Sequence, residues 1–542
     1  MAAAVDADNE REVVGYDIIL LRRKIPFYLK FLLYIFLFLY ILGIAYIAVF
    51  LPKLNFSLLK YINLKWIIAW TLAQAIASAT LATIIGLPVG IAAGFYKLRL
   101  ATTYRSLGLP VFMAPSVAVV LGFQWAHSIG LLPDQFWRAP LGIIIIHSYF
   151  NIPLSAVMVE TSLQGTLGEL NEYIYSLGLP RRTLYFRVLI PLSVPGALLA
   201  WLLSFTYSFL SLSVPLMLPG SAYRYYTLEA WIYTLYYSFP SLRLLAYGLA
   251  ILQALFLFTL AIILLKIHSK TRPGELGEKT WRPTPGRIEG LALSLYAIIL
   301  LALLYIPIAG VFLQAYTGRH GGFSLEPLRM LLYGRIPLPP GAGLARSIMN
   351  SIVYAVLTAV LAVLLSVPAV LGGSVRRAIT MLPMVVSPVM AGIGLYITYY
   401  HSLESHVGQD AAVVLIIILA HTLAALPLTS RILETGLLRL PREVRGLLVS
   451  LRIGGISLLS NLAGTIKGAV VSGLVLASIA SLGEFGATLV VSTPRTWSLG
   501  VLTYYLYNSG RAVQAASVSA SMLLLLSIVV VALSYRWVKE WF

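Results

Sequence analysis

Three ionisable side chains interrupt stretches of this sequence that are otherwise apolar. His147 and His421 occupy mid-helix positions in two long apolar segments, and Glu484, followed by Phe485, comes just after a third. An imidazole or a carboxylate at such a depth could handle a metal ion or line the pathway of a solute. The histidines could equally make interhelical hydrogen bonds, and Glu484 could be an interfacial carboxylate in a hydrated turn. Both interpretations remain open.

A polar segment between two apolar helices carries the most specific spacing. It runs from Glu172 through Gly178 and closes at Pro191. Gly178 suits a helix end because glycine adopts a left-handed backbone without steric cost, and Pro180 suits the start of the next helix. Spacings of three and four predict an amphipathic helix whose apolar stripe is Leu163, Leu167, Leu170, Ile174 and Leu177. Such a helix could also lie on lipid headgroups.

This segment resembles the cytoplasmic EAA signature of ABC-importer permeases: Glu-Ala-Ala, three residues, Gly, nine residues, then Ile-x-Leu-Pro. The glutamate, glycine, proline and spacing match, whereas the two alanines are replaced by Tyr173 and Ile174. The resemblance implies that a loop over 160–191 accepts force from a separate ATPase. The coupling residues that it implies are Glu169, Glu172, Gly178 and Pro191.

A second, degenerate copy of the loop spans 434–465. Its apolar stripe is kept, but Arg452 stands where the first copy has Gly178, and Thr465 replaces Pro191. We expect a coupling helix with a looser exit turn and an ATPase contact of different strength. The residues implied here are Glu443, Leu447 and Arg452.

The run from Ser481 to Thr488 resembles a stretch found in iron(III), molybdate and related permeases. This resemblance places Glu484 near the outer end of a helix, so that Glu484 and Phe485 become candidates for a gate, alongside the two histidines. A nearby base such as Arg495 could pair with the carboxylate. The sequence shows no metal-spaced histidine pair and no catalytic triad.

Composition restricts the class of protein. With 59% hydrophobic residues, 11% charged residues and a mean hydropathy of +0.88, the chain cannot be a water-soluble globular protein. The net charge of +19 reflects Lys and Arg clusters in segments predicted to be cytoplasmic, so it encodes orientation rather than a nucleic-acid ligand. There are no cysteines, which excludes disulfides and thiolate metal sites.

The apolar runs predict an all-α polytopic membrane protein with about twelve transmembrane helices, arranged as two parallel six-helix repeats. Sliding the sequence along itself superimposes residues of the two halves: His147 on His421, Pro153 on Pro427 and Glu160 on Glu434. The resemblance implies the type I importer fold. The predicted segments are a cytoplasmic tail (1–26), a first permease domain (27–267), a cytoplasmic linker (268–289) and a second permease domain (290–542).

The resemblance implies the permease subunit of an ATP-driven importer in a cell (inner or cytoplasmic) membrane. Its partners would be two copies of an ATPase, an external binding protein and the lipid bilayer. No Gly-x-x-x-x-Gly-Lys-Ser/Thr motif occurs, so we expect no enzyme activity and no cofactor in this chain, with ATP-Mg on the ATPase. The resemblance ranks iron(III) or an inorganic oxyanion first as solute, ahead of thiamine or polyamine.

A secondary transporter is the alternative, because such carriers are also built from two parallel six-helix halves. It would need ionisable residues deep in the bilayer for ion coupling. The sequence offers Lys467, His147 and His421.

The predicted topology places both termini in the cytoplasm. Reporter fusions after Arg287 should therefore show a cytoplasmic location, and fusions near Arg329 an external one. The opposite result at either position would contradict the topology and the cytoplasmic placement of the loops.

Overall fold

The computed structural model describes residues 27–50, 62–167, 170–268, 282–318, 321–371, 386–438, 466–510 and 512–538, with the isolated positions 380, 381, 383 and 464. These residues form helices and their connections, and the single β-bridge among them joins Thr317 to Phe323. The predicted all-α architecture is confirmed.

The helices are numbered in chain order. In the first half of the sequence they are α1 (Phe27–Val49), α2 (Leu64–Phe95), α3 (Arg99–Phe112), α4 (Ser116–Ser128), α5 (Leu141–Leu167), α6 (Leu170–Ser176), α7 (Ile190–Phe209), α8 (Leu228–Ser238) and α9 (Arg243–His268). In the second half they are α10 (Arg287–Tyr316), α11 (Leu344–Val370), α12 (Pro388–Val407), α13 (Gln409–Leu438), α14 (Lys467–Gly483), α15 (Gly486–Val491), α16 (Leu499–Asn508) and α17 (Val513–Val538). Short turns include Arg181–Thr183, the π-helical Leu184–Leu189 and Glu326–Leu332.

Within the described residues, nine helical segments are long and apolar enough to cross a membrane, which confirms a multi-pass protein. The other three predicted spans look different. The third is divided into α3 and α4, because Pro115 has no N–H to continue the helical hydrogen bonds. The ninth corresponds to α12, and the eleventh to the 17-residue α14. The count of twelve therefore remains a prediction.

Residues 50–345 and 499–525 form the larger of two compact units. Its interior is a bundle of α2, α5 and α7, in which α2 and α5 are in close contact. A Cβ on Gly86 would lie 2.8 Å from the carbonyl oxygen of Ile152, and one on Gly90 would lie 2.7 Å from that of Ala156. Glycines at this seam let the two backbones approach, as is typical of helices packed in a membrane.

The larger unit also contains α10, the first helix of the second sequence half. Tyr149 of α5 donates a hydrogen bond to the carbonyl of Leu304 at 2.5 Å, and Tyr305 donates to that of Leu107 at 2.9 Å. On α4, Gly122 allows the backbone of α10 to pass at Pro307. Thus one face of α10 packs against helices of the first half.

The described residues within 1–49, 346–498 and 526–542 form the smaller unit. Here α1 packs against α12, where a Cβ on Gly394 would lie 2.7 Å from the carbonyl oxygen of Gly43. Tyr399 donates to the carbonyl of Leu39 at 2.7 Å. The apolar core continues from these two helices into α13.

The compact units and the sequence halves are different divisions of the chain. The first helix of each predicted domain, α1 or α10, lies in the unit built mainly from the other half. The domains 27–267 and 290–542 stay a prediction about the internal repeat.

Candidate functional site

The first loop is built around the short helix α6, whose inner face is fixed to the protein. Asn171 donates its side-chain amide to the carbonyl of Phe95 at 3.4 Å. Ile174, one helical turn later, packs against an apolar cluster that contains Leu163 and Leu167 of α5. These contacts fix the orientation of α6.

The opposite face of α6 is apolar and open to the surroundings. Leu170, Tyr173 and Leu177 follow one another at spacings of three and four, and their exposed fractions are 56%, 70% and 68%. We call these three residues the exposed loop face. Adjoining large apolar side chains that the fold leaves uncovered are typical of a surface that binds another protein or the membrane. Glu172 is exposed next to them.

The predicted apolar stripe is wrong at Leu170 and Leu177, which lie on the exposed loop face. The prediction placed these two residues on the same apolar stripe as Leu163 and Leu167, which are buried. Inward contacts pass to Asn171 and Ile174, and of these only Ile174 belongs to the predicted stripe.

Gly178 ends the loop helix as predicted. Its φ is +57°, and its N–H donates to the carbonyl of Tyr175 at 3.2 Å. No atom lies within 4 Å of the position that a Cβ would take, so a side chain here would meet backbone strain but no steric contact. Pro180 then precedes the turn Arg181–Thr183, also as predicted.

Pro191 coincides with a change in helical geometry. Since proline has no N–H, the carbonyl of Arg187 cannot receive its usual helical hydrogen bond. The preceding turn, Leu184–Leu189, is π-helical, and the N–H of Ile190 reaches back to the carbonyl of Tyr185. Turns of this kind recur at functional sites in helical proteins.

The other predicted coupling residues lie outside the described part of the chain. Glu169 falls between α5 and α6, and the second loop follows Leu438. The predictions for Glu443, Leu447 and Arg452 therefore stay predictions.

In the smaller unit, the structure brings together two of the gate candidates, Glu484 and His421. Nε2 of His421 lies 2.9 Å from Oε2 of Glu484, and Nδ1 lies 2.8 Å from the hydroxyl of Ser481. The Glu484 carboxylate also accepts the backbone N–H groups of Ala487 and Thr488, at 2.8 and 3.1 Å, and the Thr488 hydroxyl at 2.8 Å. It therefore caps α15.

These contacts correct two expectations for Glu484. Its side chain is only 8% exposed, so it is not a carboxylate in a hydrated turn. The base that pairs with it is His421 and not Arg495, which lies 3.5 Å from Asp410 at the surface. Phe485 is buried beside it. A role for this pair in a gate stays a prediction.

His147 is buried in the larger unit and makes an interhelical hydrogen bond. Gln74 donates its amide to the carbonyls of Thr71 and Ser208, at 3.1 and 3.0 Å, so that its oxygen is left to accept from Nδ1 of His147 at 2.8 Å. Nε2 of His147 has no hydrogen-bond partner among the described residues. His147 and His421 lie in different compact units.

Sequence reasoning missed the partners of both histidines. Gln74 is a buried amide within an apolar helix, and a polar residue in an otherwise apolar run is the sequence signal that could have revealed it.

Lys467, predicted to lie inside a helix, is instead the exposed first residue of α14. Among the described residues, no group of three or more His, Asp or Glu side chains could hold a metal ion.

Comparison with known proteins finds relatives among transport permeases, although no protein-family model matches. The spermidine/putrescine transport system permease protein PotC of Haemophilus influenzae is 27% identical over 150 residues, which are 28% of this chain and 57% of that relative. PotC of Escherichia coli is 26% identical over 154 residues, again 57% of its length. The chain thus spans just over half the length of these relatives.

The thiamine transport system permease protein ThiP of Salmonella typhimurium is similar over a much longer region. It is 24% identical over 493 residues, which cover 85% of this chain and 86% of that relative. ThiP of Haemophilus influenzae is likewise 24% identical over 493 residues. A similarity over 85% of the chain includes both sequence halves.

The Glu484 contacts predict a measurable effect on stability. Glu484→Gln keeps the shape but removes the charge, so the hydrogen bonds to His421 and to the start of α15 weaken. We expect a loss of about 1–3 kcal/mol in the free energy of unfolding, measured by thermal unfolding in detergent. Asp410→Asn, the same change at a surface pair, should cost less than about 1 kcal/mol. Equal effects of the two changes would contradict the assigned capping role.

Proposed function

We propose that this chain is the permease subunit of an ABC importer, which moves a solute inward after an external binding protein delivers it, with energy from a separate ATPase. The observation that carries this proposal is the exposed loop face, held on a short helix that ends at Gly178. It lies where the sequence matches the coupling signature of these permeases.

The loop geometry suits a helix that docks in a groove of another protein. Leu170, Tyr173 and Leu177 offer apolar anchors at the spacing of one helical face, and such anchors give helix-in-groove complexes most of their affinity. Glu172 adds a charge at the rim. Since Asn171 and Ile174 tie the helix to the rest of the unit, a push on α6 would be passed to α2 and α5.

The solute that we propose is an organic cation, thiamine or a polyamine. The relatives are named for thiamine or for spermidine and putrescine, so they do not support the first-ranked iron(III) or inorganic oxyanion. The similarity to ThiP includes both halves of the chain, whereas the similarity to PotC covers only 28% of it. This difference favours thiamine over a polyamine as the solute.

We further propose two ATPase copies, one at each loop, and ATP-Mg bound only on those subunits. The proposed location is the cell (inner or cytoplasmic) membrane with both termini inside. Secondary transport is the weaker candidate, since Lys467, one of its three proposed coupling residues, stands exposed at a helix end.

A change at Gly178 tests the coupling loop. Gly178→Asp places a side chain at φ +57°, which costs about 1–2 kcal/mol and should weaken binding of the ATPase about tenfold. Binding is measured by co-purification and by titration of the ATPase into the permease in nanodiscs.

Gly130→Asp is the matched control, because Gly130 also has a positive φ, +76°, and open space around its Cβ position. Gly130 lies after α4, far along the chain from the loop, so its variant should bind the ATPase normally. Wild-type ATPase binding and uptake in the Gly178 variant would exclude the first loop as the coupling site.

The solute proposal is tested on the partner binding protein by calorimetry. Thiamine, spermidine, ferric citrate and molybdate are titrated separately. We expect heat of binding with thiamine or spermidine and none with the other two. Binding of ferric iron or molybdate alone would contradict the organic-cation assignment and leave the importer class intact.

A further inference from the structure

One carboxylate at the end of the predicted linker joins three segments of the larger unit. Oε1 of Glu289, in the first turn of α10, accepts hydrogen bonds from the hydroxyls of Tyr96 at 2.8 Å and Tyr185 at 2.7 Å. Oε2 lies 3.7 Å from Nε of Arg181. Tyr96 follows the last residue of α2, whereas Tyr185 and Arg181 belong to the exit of the first loop. We call these four residues the Glu289 cluster.

The linker backbone strengthens the same junction. The N–H of Lys97 donates to the carbonyl of Pro283 at 2.9 Å, and the guanidinium of Arg282 donates to that of Ala93 at 3.1 Å. The carbonyls in the last turn of a helix lack helical partners, and a cation there also complements the helix dipole. The linker end therefore completes the inner end of α2.

Most of the strength of the cluster comes from the two tyrosines. The Glu289 side chain is 11% exposed, and hydrogen bonds to a charged acceptor are about twice as strong as neutral ones. Burial and the bond to Glu289 raise the pKa of Tyr96, so its hydroxyl stays protonated and donates. The Arg181 side chain is 61% exposed, so its ion pair contributes little.

A glutamate in the first turn of a helix often stabilises only its own helix dipole. Glu289 differs, because its hydrogen-bond donors are 193 and 104 residues away along the chain. It therefore connects distant segments.

We propose that Glu289 is a positioning residue that fixes the exit of the first loop to α10, so that a push on the loop moves the first helix of the second sequence half. The proposal rests on the coupling function proposed for the loop. Tyr296, two helical turns further along α10, donates a hydrogen bond to the carbonyl of Ile85 at 2.8 Å. The hydrogen bonds of Tyr149 and Tyr305 fix the middle of α10. A displacement at Glu289 thus reaches helices along the whole length of α10.

Hydrogen–deuterium exchange on the purified full chain in nanodiscs tests the positioning role without any partner. In Glu289→Ala, exchange of residues 181–189 should become about tenfold faster, because the loop exit loses a hydrogen bond to a charged group. Glu326→Ala is the matched control: Glu326 also lies in the first turn of a helix but is exposed. Unchanged exchange in Glu289→Ala would overturn the proposal.

A double substitution assigns the effect to the cluster. The double variant Tyr96→Phe with Tyr185→Phe should show the same faster hydrogen–deuterium exchange of residues 181–189 as Glu289→Ala. Adding both changes to Glu289→Ala should raise the exchange rate little further, since the effects of groups that act through one contact are not additive. Glu289→Gln, which keeps an acceptor for the tyrosines, should restore part of the protection. Fully additive effects would contradict the cluster.

The complex reconstituted with its ATPase and binding protein tests the coupling role. In Glu289→Ala the ATPase should still bind, because Glu289 is not on the exposed loop face, but stimulation of ATP hydrolysis by the binding protein should fall about tenfold. If Glu289→Ala shows wild-type stimulation while Gly178→Asp binds the ATPase weakly, the role of Glu289 is overturned and the proposed function of the loop is not. Normal behaviour of Gly178→Asp would instead overturn the proposed function of the loop.

Discussion

In the hydrocarbon core of a bilayer, a backbone N–H or C=O without a hydrogen-bond partner costs several kcal/mol, so an interruption of a helix there needs new partners. Three of the interruptions in the described residues show such partners or a local change of geometry. At the start of α15 the Glu484 carboxylate accepts two backbone N–H groups, and at the start of α12 the Ser387 hydroxyl accepts one. Before Pro191 the chain adopts a π-helical turn.

The same constraint explains the character of the two histidine sites. Each imidazole is buried and bonded to a side chain of a neighbouring helix, His147 to Gln74 and His421 to Ser481 and Glu484. The partners are not equivalent in the two predicted halves: Gln74 lies on α2, whereas Ser481 and Glu484 lie at the end of α14, so one imidazole meets a neutral amide and the other a carboxylate.

Local features of this chain were predictable, and long-range ones were not. Gly178 and Pro180 mark their turns because backbone geometry depends on the residue itself. Leu170 and Leu177 were assigned to the wrong face, because periodicity shows which apolar residues share a face but not which of them a neighbouring segment covers. The pairing of His421 with Glu484 and of Glu289 with two tyrosines joins residues distant in sequence, which spacing alone does not reveal. The sequence also did not show that α1 and α10 each lie in the compact unit built mainly from the other half, because that too depends on contacts between distant residues.

The packing of α1 on α12 has a consequence for biosynthesis. Gly43 contacts Gly394, and at about 5–20 residues per second this partner emerges from the ribosome roughly 20–70 s after it. During that interval α1 must remain in the membrane with lipid on the face that will later meet α12. Its mean hydropathy of 2.6 is the highest of the nine apolar segments among the described residues, so it can stay inserted in the membrane as an independent helix until α12 is made.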